Sequence, residues 1–358
     1  MTDKINVGLL GYGFAGRVFH APLINAVSSL NLYAIVERHG DRAGRDFPQA
    51  LVLRESDRLL EDAKVDLVVV ATPNSSHFEL ARQALLAGKH VVVDKPFTLT
   101  AAEARSLIEL AQERQRVLSV YQNRRWDGDF RTIRELVKSG MLGEIVEYEA
   151  HYDRFRPEVN EGAWRESGEA GSGILFDLGS HLIDQALVLF GWPDTVTADL
   201  RVQREGGRAV DSFEVVLGYP KLKAALKAGM MVRQPGPRFV LRGRLGSFLK
   251  GGFDRQEDLL RAGQNPAPDN AWGIEPRAQW GTIEAEIDHM HVVGLLETLP
   301  GCYQAFYENV ADAIARGSDL AVKPEEAWRT MRIIELAELS NSEKRTVKAV
   351  ERIEESKA

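Results

Sequence analysis

The sequence predicts two structural parts: an α/β part on a parallel sheet, then an α+β part with a large, mostly antiparallel open sheet. Three observations support this prediction. An apolar strand pattern near the start of the chain leads directly into a glycine-rich turn at residues 11–16. Strand and helix patterns then alternate as far as residue 120, an order typical of parallel strands with right-handed crossovers. After that, strand patterns follow one another across short turns, as in antiparallel sheets.

The glycine-rich turn is the strongest of these signals. Residues 5–10 are apolar and partly β-branched and predict a buried strand, while residues 17–28 predict a helix. Gly11 permits a tight turn, Gly13 leaves room for a pyrophosphate, and Gly16 allows close packing of helix on strand. Free N–H groups at the start of the helix attract phosphate. The turn therefore predicts a dinucleotide-binding Rossmann domain with contacts from Gly11, Tyr12, Gly13, Phe14, Ala15 and Gly16, with a plain βα turn as the alternative.

The second strand pattern, residues 32–36, ends in two opposing cofactor signals. Glu37 lies 21 residues after Gly16, where an acid that binds ribose hydroxyls is expected, and it favours NAD. The next residue, Arg38, is suited to a 2′-phosphate and favours NADP. A solvated charge pair after a strand is the third interpretation. The cofactor is therefore NADP or NAD, and the residues leave that choice open.

Three further strand patterns complete the first part, at residues 65–71, 90–93 and 117–120. Because parallel strands end at one edge of a sheet, the polar residues that follow them are expected to meet there, where ligands bind. These residues are Thr72, Pro73, Asn74, Asp94, Lys95, Gln122 and Asn123. The predicted domains are residues 1–121 and residues 122–358, with the cleft between them and with packing of the terminal helix back on the first domain as an option.

The second part combines strands with a few helices. Its predicted helices cover residues 129–139, 173–190, 303–316 and 324–341, and its predicted strands cover residues 144–153, 195–203, 212–219, 222–231, 238–242 and 247–250. Residues 251–281 contain several Pro and Gly and predict an irregular segment. In the helix at 173–190, Asp177, His181 and Asp184 stand at i, i+4 and i+7 and share one face, and the flanking faces are apolar. The alternative is a solvated stripe on an amphipathic helix.

Together these motifs resemble those of the Gfo/Idh/MocA oxidoreductases, which act mostly on sugars and cyclitols. The resemblance covers essentially the whole chain and rests on the turn at 11–16, Thr72-Pro73-Asn74 with His77, Asp94-Lys95-Pro96 and Asp177-x-x-x-His181. Asp-Lys-Pro stands where Glu-Lys-Pro is usual. Residues 16–23, 120–127 and 152–157 are most similar to bacterial NADP-type scyllo-inositol dehydrogenases, which often have Ser-Arg in place of Glu37-Arg38.

The resemblance implies a role for each matched residue. Lys95 is expected beside the nicotinamide and the reacting hydroxyl, with His181 as the base and Asp177 either orienting the imidazole or binding a neighbouring hydroxyl. The implied cofactor-binding residues are the turn at 11–16, Glu37, Arg38, Thr72, Pro73, Asn74, His77, Lys95 and Asn123. The expected substrate-binding residues are Lys95, Arg124, Trp126, Tyr152, Arg154, Asp177 and His181. For Arg124, Trp126, Tyr152 and Arg154, ordinary ion pairing at a domain junction is the alternative.

Composition excludes other classes of function. Of 358 residues, 45 are Lys or Arg and 52 are Asp or Glu, so a net charge of −7 argues against a nucleic-acid-binding surface. The single cysteine, Cys302, rules out an internal disulfide and a multi-cysteine metal site. The apolar runs are too short for a membrane span, and the first residues lack the pattern of a signal peptide, so we predict a cytoplasmic protein. His289 and His291 alternate along a predicted strand without a third ligand, so no metal site is predicted.

The leading hypothesis is an NAD(P)-dependent dehydrogenase that oxidises a secondary alcohol of a scyllo-inositol-like cyclitol or a sugar. An aldose or other sugar dehydrogenase or reductase of the same family is the first alternative. A cofactor-binding sensor without turnover is the second, and a metal hydrolase built on Asp177, His181 and Asp184 is the third. We expect a small-molecule polyol or sugar as substrate. We also expect a homodimer or a dimer of dimers through the second sheet, because exposed apolar sheet faces associate.

Overall fold

The computed structural model describes residues 4–160, 162–267 and 271–351. Contacts between residues divide the chain into two compact units. The first unit comprises Met1–Asp127, Asp254–Ile274 and Pro300–Trp328, and the second comprises Gly128–Phe253, Glu275–Leu299 and Arg329–Ala358. Each unit is therefore discontinuous in sequence, because the chain returns to the first unit twice after leaving it. The simpler boundary between residues 121 and 122 stays a prediction.

A parallel sheet forms the centre of the first unit. Its strands are β1 (Ile5–Leu10), β2 (Leu30–Val36), β3 (Leu51–Leu53), β4 (Leu67–Val70), β5 (His90–Val93) and β6 (Leu118–Val120). They lie in the order β3-β2-β1-β4-β5-β6. Every residue of β4 is buried, as expected for a strand covered on both faces. The strand order reverses between β1 and β4, which is where ligands bind in such sheets.

Helices flank these strands in the first unit. They are α1 (Ala21–Ala26), α2 (Arg42–Asp46), α3 (Ser56–Leu60), α4 (His77–Leu86), α5 (Ala101–Glu113), α8 (Gln256–Arg261) and α9 (Gln304–Arg316). The helix predicted at 17–28 is interrupted: a π-helical turn covers Gly16–His20, and α1 begins only at Ala21. Pro22 explains the change of register, because proline has no N–H for the regular α-helical hydrogen bond.

The second unit contains a nine-stranded sheet. Its strands are β7 (Ile145–Asp153), β8 (Thr195–Arg201), β9 (Ser212–Gly218), β10 (Lys223–Gly229), β11 (Phe239–Gly243), β12 (Gly246–Lys250), β13 (Gly281–Ile287), β14 (Met290–Leu296) and β15 (Val347–Lys348). The order is β14-β13-β12-β11-β7-β10-β9-β8-β15, antiparallel except for the pair β7 and β10. The predicted fold class, a parallel sheet followed by a large and mostly antiparallel open sheet, is confirmed.

One face of the second sheet is covered by helices. Along β7, Tyr148, Ala150 and Tyr152 are buried on this inner face, whereas the residues between them point to the opposite face. The helices of the unit are α6 (Gly128–Ser139) and α7 (Ser180–Phe190), and α10 (Pro324–Glu343) begins in the first unit and continues in the second. A π-helical turn at Leu175–Gly179 leads into α7, and both pack on β10.

The second half differs from the sequence expectations in two places. The irregular segment at 251–281 contains α8, which belongs to the first unit. His289 does not lie on a strand, because Asp288 and His289 form the turn between β13 and β14 with φ angles of 49° and 64°. His289 and His291 therefore do not share a strand face. Among the described residues, no helix is long and apolar enough to cross a membrane.

Candidate active site

The glycine-rich turn lies at the carboxyl end of β1. Gly11 has a φ of 99°, and a Cβ atom there would lie 2.7 Å from the carbonyl oxygen of Ala71. A Cβ on Gly16 would collide with the carbonyl oxygen of Gly11. By contrast, apart from the residues next to it in the chain, no described residue has an atom within 4 Å of the Cβ position of Gly13. The first and third glycines are therefore required by packing, and the second leaves open space for a ligand.

A cavity of about 630 Å³ extends from this turn along the ends of β2 and β4. Its lining includes Gly11, Tyr12, Gly13, Glu37, Arg38, His39, Arg42, Ser56, Thr72, Pro73 and Ser76. Most of the expected cofactor residues that follow β1, β2 and β4 thus share one cavity. Its size is within the usual range for cofactor pockets, and its walls combine backbone, apolar and basic groups, so the residues present fit a dinucleotide.

Within that cavity, the Glu37 carboxylate is already engaged. Glu37 is only 3% exposed, and one of its oxygens accepts a hydrogen bond from the backbone N–H of Ala43 at 3.0 Å. The other oxygen lies 3.4 Å from Nε of Arg42. The backbone carbonyl of the same residue accepts from Arg54 at 2.8 Å. Glu37 therefore holds the start of α2 in place, whereas Arg38 is exposed beside it.

His77 joins the segments that follow β4 and β5. Its Nδ1 lies 2.8 Å from the carbonyl oxygen of Pro96, and its Nε2 lies 3.0 Å from that of Thr72. The ring is completely buried, and burial lowers the pKa of His77, although Asp94 acts in the opposite direction. The described contacts of His77 are thus with the two backbone segments that carry Thr72 and Lys95.

Asp94 lies in a buried polar cluster directly before Lys95. Its Oδ1 accepts the backbone N–H of Lys95 at 2.8 Å and lies 3.6 Å from Nε2 of His20. Nδ1 of His20 lies 2.5 Å from the hydroxyl of Tyr307. Burial by itself would raise the pKa of Asp94, but the nearby His20 ring and Lys95 bring it below the usual value. Asp94 is therefore a carboxylate that holds the backbone of Lys95 by a hydrogen bond.

The turn after β6 holds two buried arginines. Arg124 pairs with Glu257, lies 3.5 Å from Asp127 and donates to the hydroxyl of Tyr303 at 2.5 Å. Arg125 pairs with Glu326 at 2.8 Å. Burial opposes ionisation of Glu257, yet Arg124 and Arg261 lower the pKa of its carboxyl to about 2. The described contacts of Arg124 are therefore ion pairs and a hydrogen bond within the first unit, and its role in substrate binding stays a prediction.

The neighbours of Arg124 in the same turn are also placed in the first unit. Asn123 is buried, and Trp126 packs its ring against Phe306 with centroids 5.7 Å apart. The backbone carbonyl of Trp126 accepts hydrogen bonds from Cys302 at 3.0 Å and from Gln256 at 3.1 Å. This turn is therefore held by the segments that return to the first unit.

In the second unit, Asp177 lies on the π-helical turn and His181 lies in the first turn of α7. Asp177 is 3.4 Å from Nε of Arg165. His181 and Asp184 are 4% and 2% exposed, which excludes a solvated stripe for these two residues. The π-helical turn also changes the angular spacing between Asp177 and His181 from the α-helical one that the sequence predicts.

Tyr152 is at the end of β7 on the inner face of the second sheet. Its ring stacks on Phe253 with centroids 5.1 Å apart. The guanidinium of Arg238 lies 4.0 Å from the Tyr152 ring centroid, and that of Arg154 lies at 5.7 Å. Arg238 was not among the predicted site residues, because a single arginine before a strand carries no sequence signal of its own. Asp177, His181, Tyr152 and Arg154 thus share the second unit, whereas Lys95 belongs to the first.

Metal-binding residues can be assessed only for the described part of the chain. There, no group of three or more His, Cys, Asp or Glu side chains is arranged to hold a metal ion. His291 instead lies 3.0 Å from Glu284 on the neighbouring strand. The hydrolase alternative therefore gains no support from Asp177, His181 and Asp184.

Comparisons with known proteins match both halves of the chain. Residues 5–122 match a Gfo/Idh/MocA model described as "Oxidoreductase family, NAD-binding Rossmann fold", and residues 134–349 match one described as "Oxidoreductase family, C-terminal alpha/beta domain". The scyllo-inositol 2-dehydrogenase (NADP(+)) of Bacillus subtilis is 42% identical, over 97% of this chain and 96% of that protein. The uncharacterized oxidoreductase YdgJ of Escherichia coli is 43% identical, over 94% and 96%.

Solved structures give the same match. The oxidoreductase yvaA of Bacillus subtilis superposes with a TM-score of 0.94 at 42% identity, covering 97% of this chain and 99% of that one. An oxidoreductase of Yersinia pestis superposes with a TM-score of 0.92 at 42% identity, covering 99% of each chain. Both comparisons extend over the two units.

Proposed function

The chain belongs to the Gfo/Idh/MocA oxidoreductase family, as its motifs indicated, and we propose that it oxidises a secondary alcohol of a cyclitol or sugar with NADP as hydride acceptor. The observation that carries the proposal is the placement of Lys95. It is the second residue after β5, its backbone N–H is held by the buried Asp94, and β4, the parallel neighbour of β5, ends at the cofactor cavity. A cation at that edge is suited to stabilise an oxygen that becomes negative.

Three side chains, those of Lys95, His181 and Asp177, take part in the proposed reaction. The nicotinamide, when bound, supplies the acceptor for the hydride that leaves the carbinol carbon. Lys95 donates a hydrogen bond to the hydroxyl oxygen of the substrate and stabilises its developing negative charge. His181 takes the hydroxyl proton, since an imidazole titrates near neutrality. Asp177 orients that imidazole or binds a neighbouring hydroxyl.

Supporting groups in the first unit hold Lys95 in position. Asp94 fixes its backbone, and His77 ties Pro96 to Thr72, so the segments after β4 and β5 are held at a constant separation. We assign His77 to this positioning role rather than to direct cofactor contact, because both ring nitrogens already face carbonyl oxygens and the ring is buried. Rigid support of this kind is what catalytic geometry requires.

The preference for NADP is inferred from Glu37 and Arg38. A carboxylate selects NAD when its oxygens are free to accept both ribose hydroxyls. Here the Glu37 oxygens are directed to Ala43 and Arg42, and the residue is buried. Arg38, His39 and Arg42 line the same cavity and give that region a basic character. These groups suit a 2′-phosphate better than a ribose diol.

For the assembly, we infer a homodimer or a dimer of dimers through the second sheet. At the β14 end of this sheet, Met290, Val293 and Leu295 are 61%, 69% and 47% exposed. Leu249 on β12 is 39% exposed as well. Exposed apolar surface on a sheet edge favours association with another copy. Light scattering of the protein and of a Val293→Glu variant tests this inference, and a monomeric parent protein would reject it.

A cytoplasmic location stays a prediction.

The experiment that best tests the proposed function is a substrate panel. Scyllo-inositol, myo-inositol, glucose and xylose are each assayed with NADP and with NAD by the absorbance of the reduced cofactor. Turnover of a cyclitol with NADP is the expected result. Turnover of aldoses alone would favour the sugar dehydrogenase alternative, and cofactor binding without turnover of any compound would favour the sensor.

A further inference from the structure

One cation of the second unit differs from the other buried cations there. Arg204 pairs with Asp211 at 3.0 Å and with Glu166 at 3.3 Å, and Lys250 pairs with Glu275 at 3.0 Å. Arg238 is equally buried, at 3% exposure, but no carboxylate among the described residues lies within ion-pair distance of it. An unpaired buried charge is costly, so this guanidinium lacks a counter-ion that burial demands.

The unused hydrogen-bond donors of Arg238 lie on one edge of its planar guanidinium group. Nη1 donates to the carbonyl oxygen of His151 at 2.5 Å. Nε and Nη2 are buried and have no hydrogen-bond partner among the described residues. These two nitrogens carry the parallel N–H bonds of the side-on fork, which matches the two oxygens of a carboxylate.

The fork lies on the inner face of the second sheet. The guanidinium is 4.0 Å from the ring centroid of Tyr152 and 4.4 Å from that of Phe239, and both rings are buried on that face. The π-helical turn with Asp177 and the helix with His181 pack against β10, the parallel neighbour of β7. The fork and the proposed base are therefore on the same side of the sheet in the same unit.

A further unpartnered polar group lies near Arg238. The hydroxyl of Tyr148 is buried and has no hydrogen-bond partner in the described part of the chain. The Tyr148 ring centroid is 6.2 Å from that of Phe239. Burial raises the pKa of Tyr148, so the hydroxyl stays protonated and can donate. A ligand at this position would therefore meet donors and a fixed positive charge.

We propose that Arg238 is a substrate-specificity residue that binds a carboxylate through Nε and Nη2, so that among sugars an acid is preferred over the neutral sugar of the same configuration. The proposal rests on the proposed function and narrows its substrate class. Phe253 stacks on Tyr152 beside the fork and is 42% exposed, and an exposed aromatic ring suits the apolar face of a sugar ring.

Paired substrates and variants test this assignment. Glucuronate is compared with glucose, and galacturonate with galactose, in the full-length parent protein and in Arg238→Met, Arg238→Lys and Arg233→Met. Arg233 is the matched control, because it also stacks on an aromatic ring, that of Phe155 at 4.0 Å, but is exposed. Arg238→Lys keeps the charge without the fork and guards against misfolding of Arg238→Met.

The expected result is a kcat/KM that is higher for each acid than for its neutral partner by about 30-fold or more, as for a buried hydrogen-bonded charge pair. That preference should disappear in Arg238→Met, fall strongly in Arg238→Lys and persist in Arg233→Met. A preference for the neutral sugars, or an equal loss for both sugars in the Arg238 variants, would overturn the carboxylate assignment and leave the dehydrogenase proposal intact.

Calorimetry separates failure of this inference from failure of the proposed function. If none of the compounds is oxidised, glucuronate binding is measured directly in the presence of cofactor. Binding that weakens in Arg238→Met and not in Arg233→Met supports the carboxylate site without any turnover. Absence of glucuronate binding to the parent protein would reject it.

Discussion

The polar groups at the ligand edge of the first unit and those on the inner face of the second unit are supported in different ways. In the first unit, buried charged groups have partners within the protein: Glu37 lies beside Arg42, Glu257 beside Arg124, and Asp94 accepts the backbone N–H of Lys95. In the second unit, the described residues offer no hydrogen-bond partner to two donors of the buried Arg238.

This difference matches two kinds of ligand. A dinucleotide is the same for every turnover, so its site gains from side chains that are already held by the protein. A substrate site must discriminate between similar molecules, and unsatisfied buried donors reject any molecule that cannot satisfy them. Four predictions test this difference between an edge whose polar groups are paired within the protein and an inner face with donors unpaired among the described residues. They run from the largest expected effect to the smallest.

The largest effect is expected on the inner face. His181→Ala should lower kcat by about 100- to 10,000-fold, because a general base is lost. The acid-side limb of the pH–rate profile should disappear with it. Steady-state assays from pH 5 to 10 provide the measurement, with His291→Ala, an exposed histidine, as control. A variant that keeps the parent profile would remove His181 from the reaction.

Lys95→Ala tests the edge of the first unit. It should lower kcat by about 100- to 1,000-fold, since one donor to a developing oxyanion is lost. Because the cofactor cavity is lined by other residues, NADPH binding should remain close to that of the parent protein in a fluorescence titration. Lys64→Ala, at an exposed lysine, is the control. Full activity of Lys95→Ala would contradict the assigned role.

The ion pairs within the first unit predict that the free energy of unfolding decreases at acid pH. The pKa of Glu257 falls from its ordinary 4.5 to about 2 in the folded protein, against the effect of burial, because of Arg124 and Arg261. Since the folded pKa is the lower one, this carboxylate stabilises the fold above pH 4.5 and loses that contribution as pH falls toward 2. The contribution is about 3 kcal/mol.

Glu257→Gln should therefore lower the free energy of unfolding at pH 7 and flatten its decline between pH 5 and 3, as measured by urea denaturation. Glu113→Gln, at an exposed glutamate, should follow the parent curve. An unchanged slope in Glu257→Gln would show that the Arg124 pair does not support the first unit in this way.

The smallest effect concerns cofactor choice. Arg38→Ala should weaken the binding of NADP by about 10- to 100-fold and leave the binding of NAD nearly unchanged. This is expected when charge-assisted hydrogen bonds to a 2′-phosphate are lost. Isothermal titration with both cofactors measures the difference. Arg45→Ala serves as control, because Arg45 is exposed and pairs with Asp41. Equal weakening of NAD and NADP would reject the phosphate contact.

The two halves also differ in how much the sequence predicted. The glycine-rich turn, the strands up to β6 and most of the strands of the second sheet lie close to their expected residues, because hydrophobic periodicity and glycine positions are local signals. The π-helical turns at Gly16–His20 and Leu175–Gly179 were not predicted, because both lie inside segments whose pattern is that of a regular α-helix. The hairpin of β13 and β14 was missed as well, and it moves His289 into a turn.

Short motifs, through their residue types and spacing alone, predicted the family, the fold class and the dinucleotide site. They also predicted the candidate catalytic residues Lys95, Asp177 and His181. The tertiary structure decided which polar groups are engaged. It directs Glu37 to Ala43 and Arg42, places His77 between two carbonyl oxygens, and leaves the fork of Arg238 without a partner. The physical reason is that burial and hydrogen-bond partners come from residues distant in sequence, so that the availability of a charge for a ligand is a property of the packed chain.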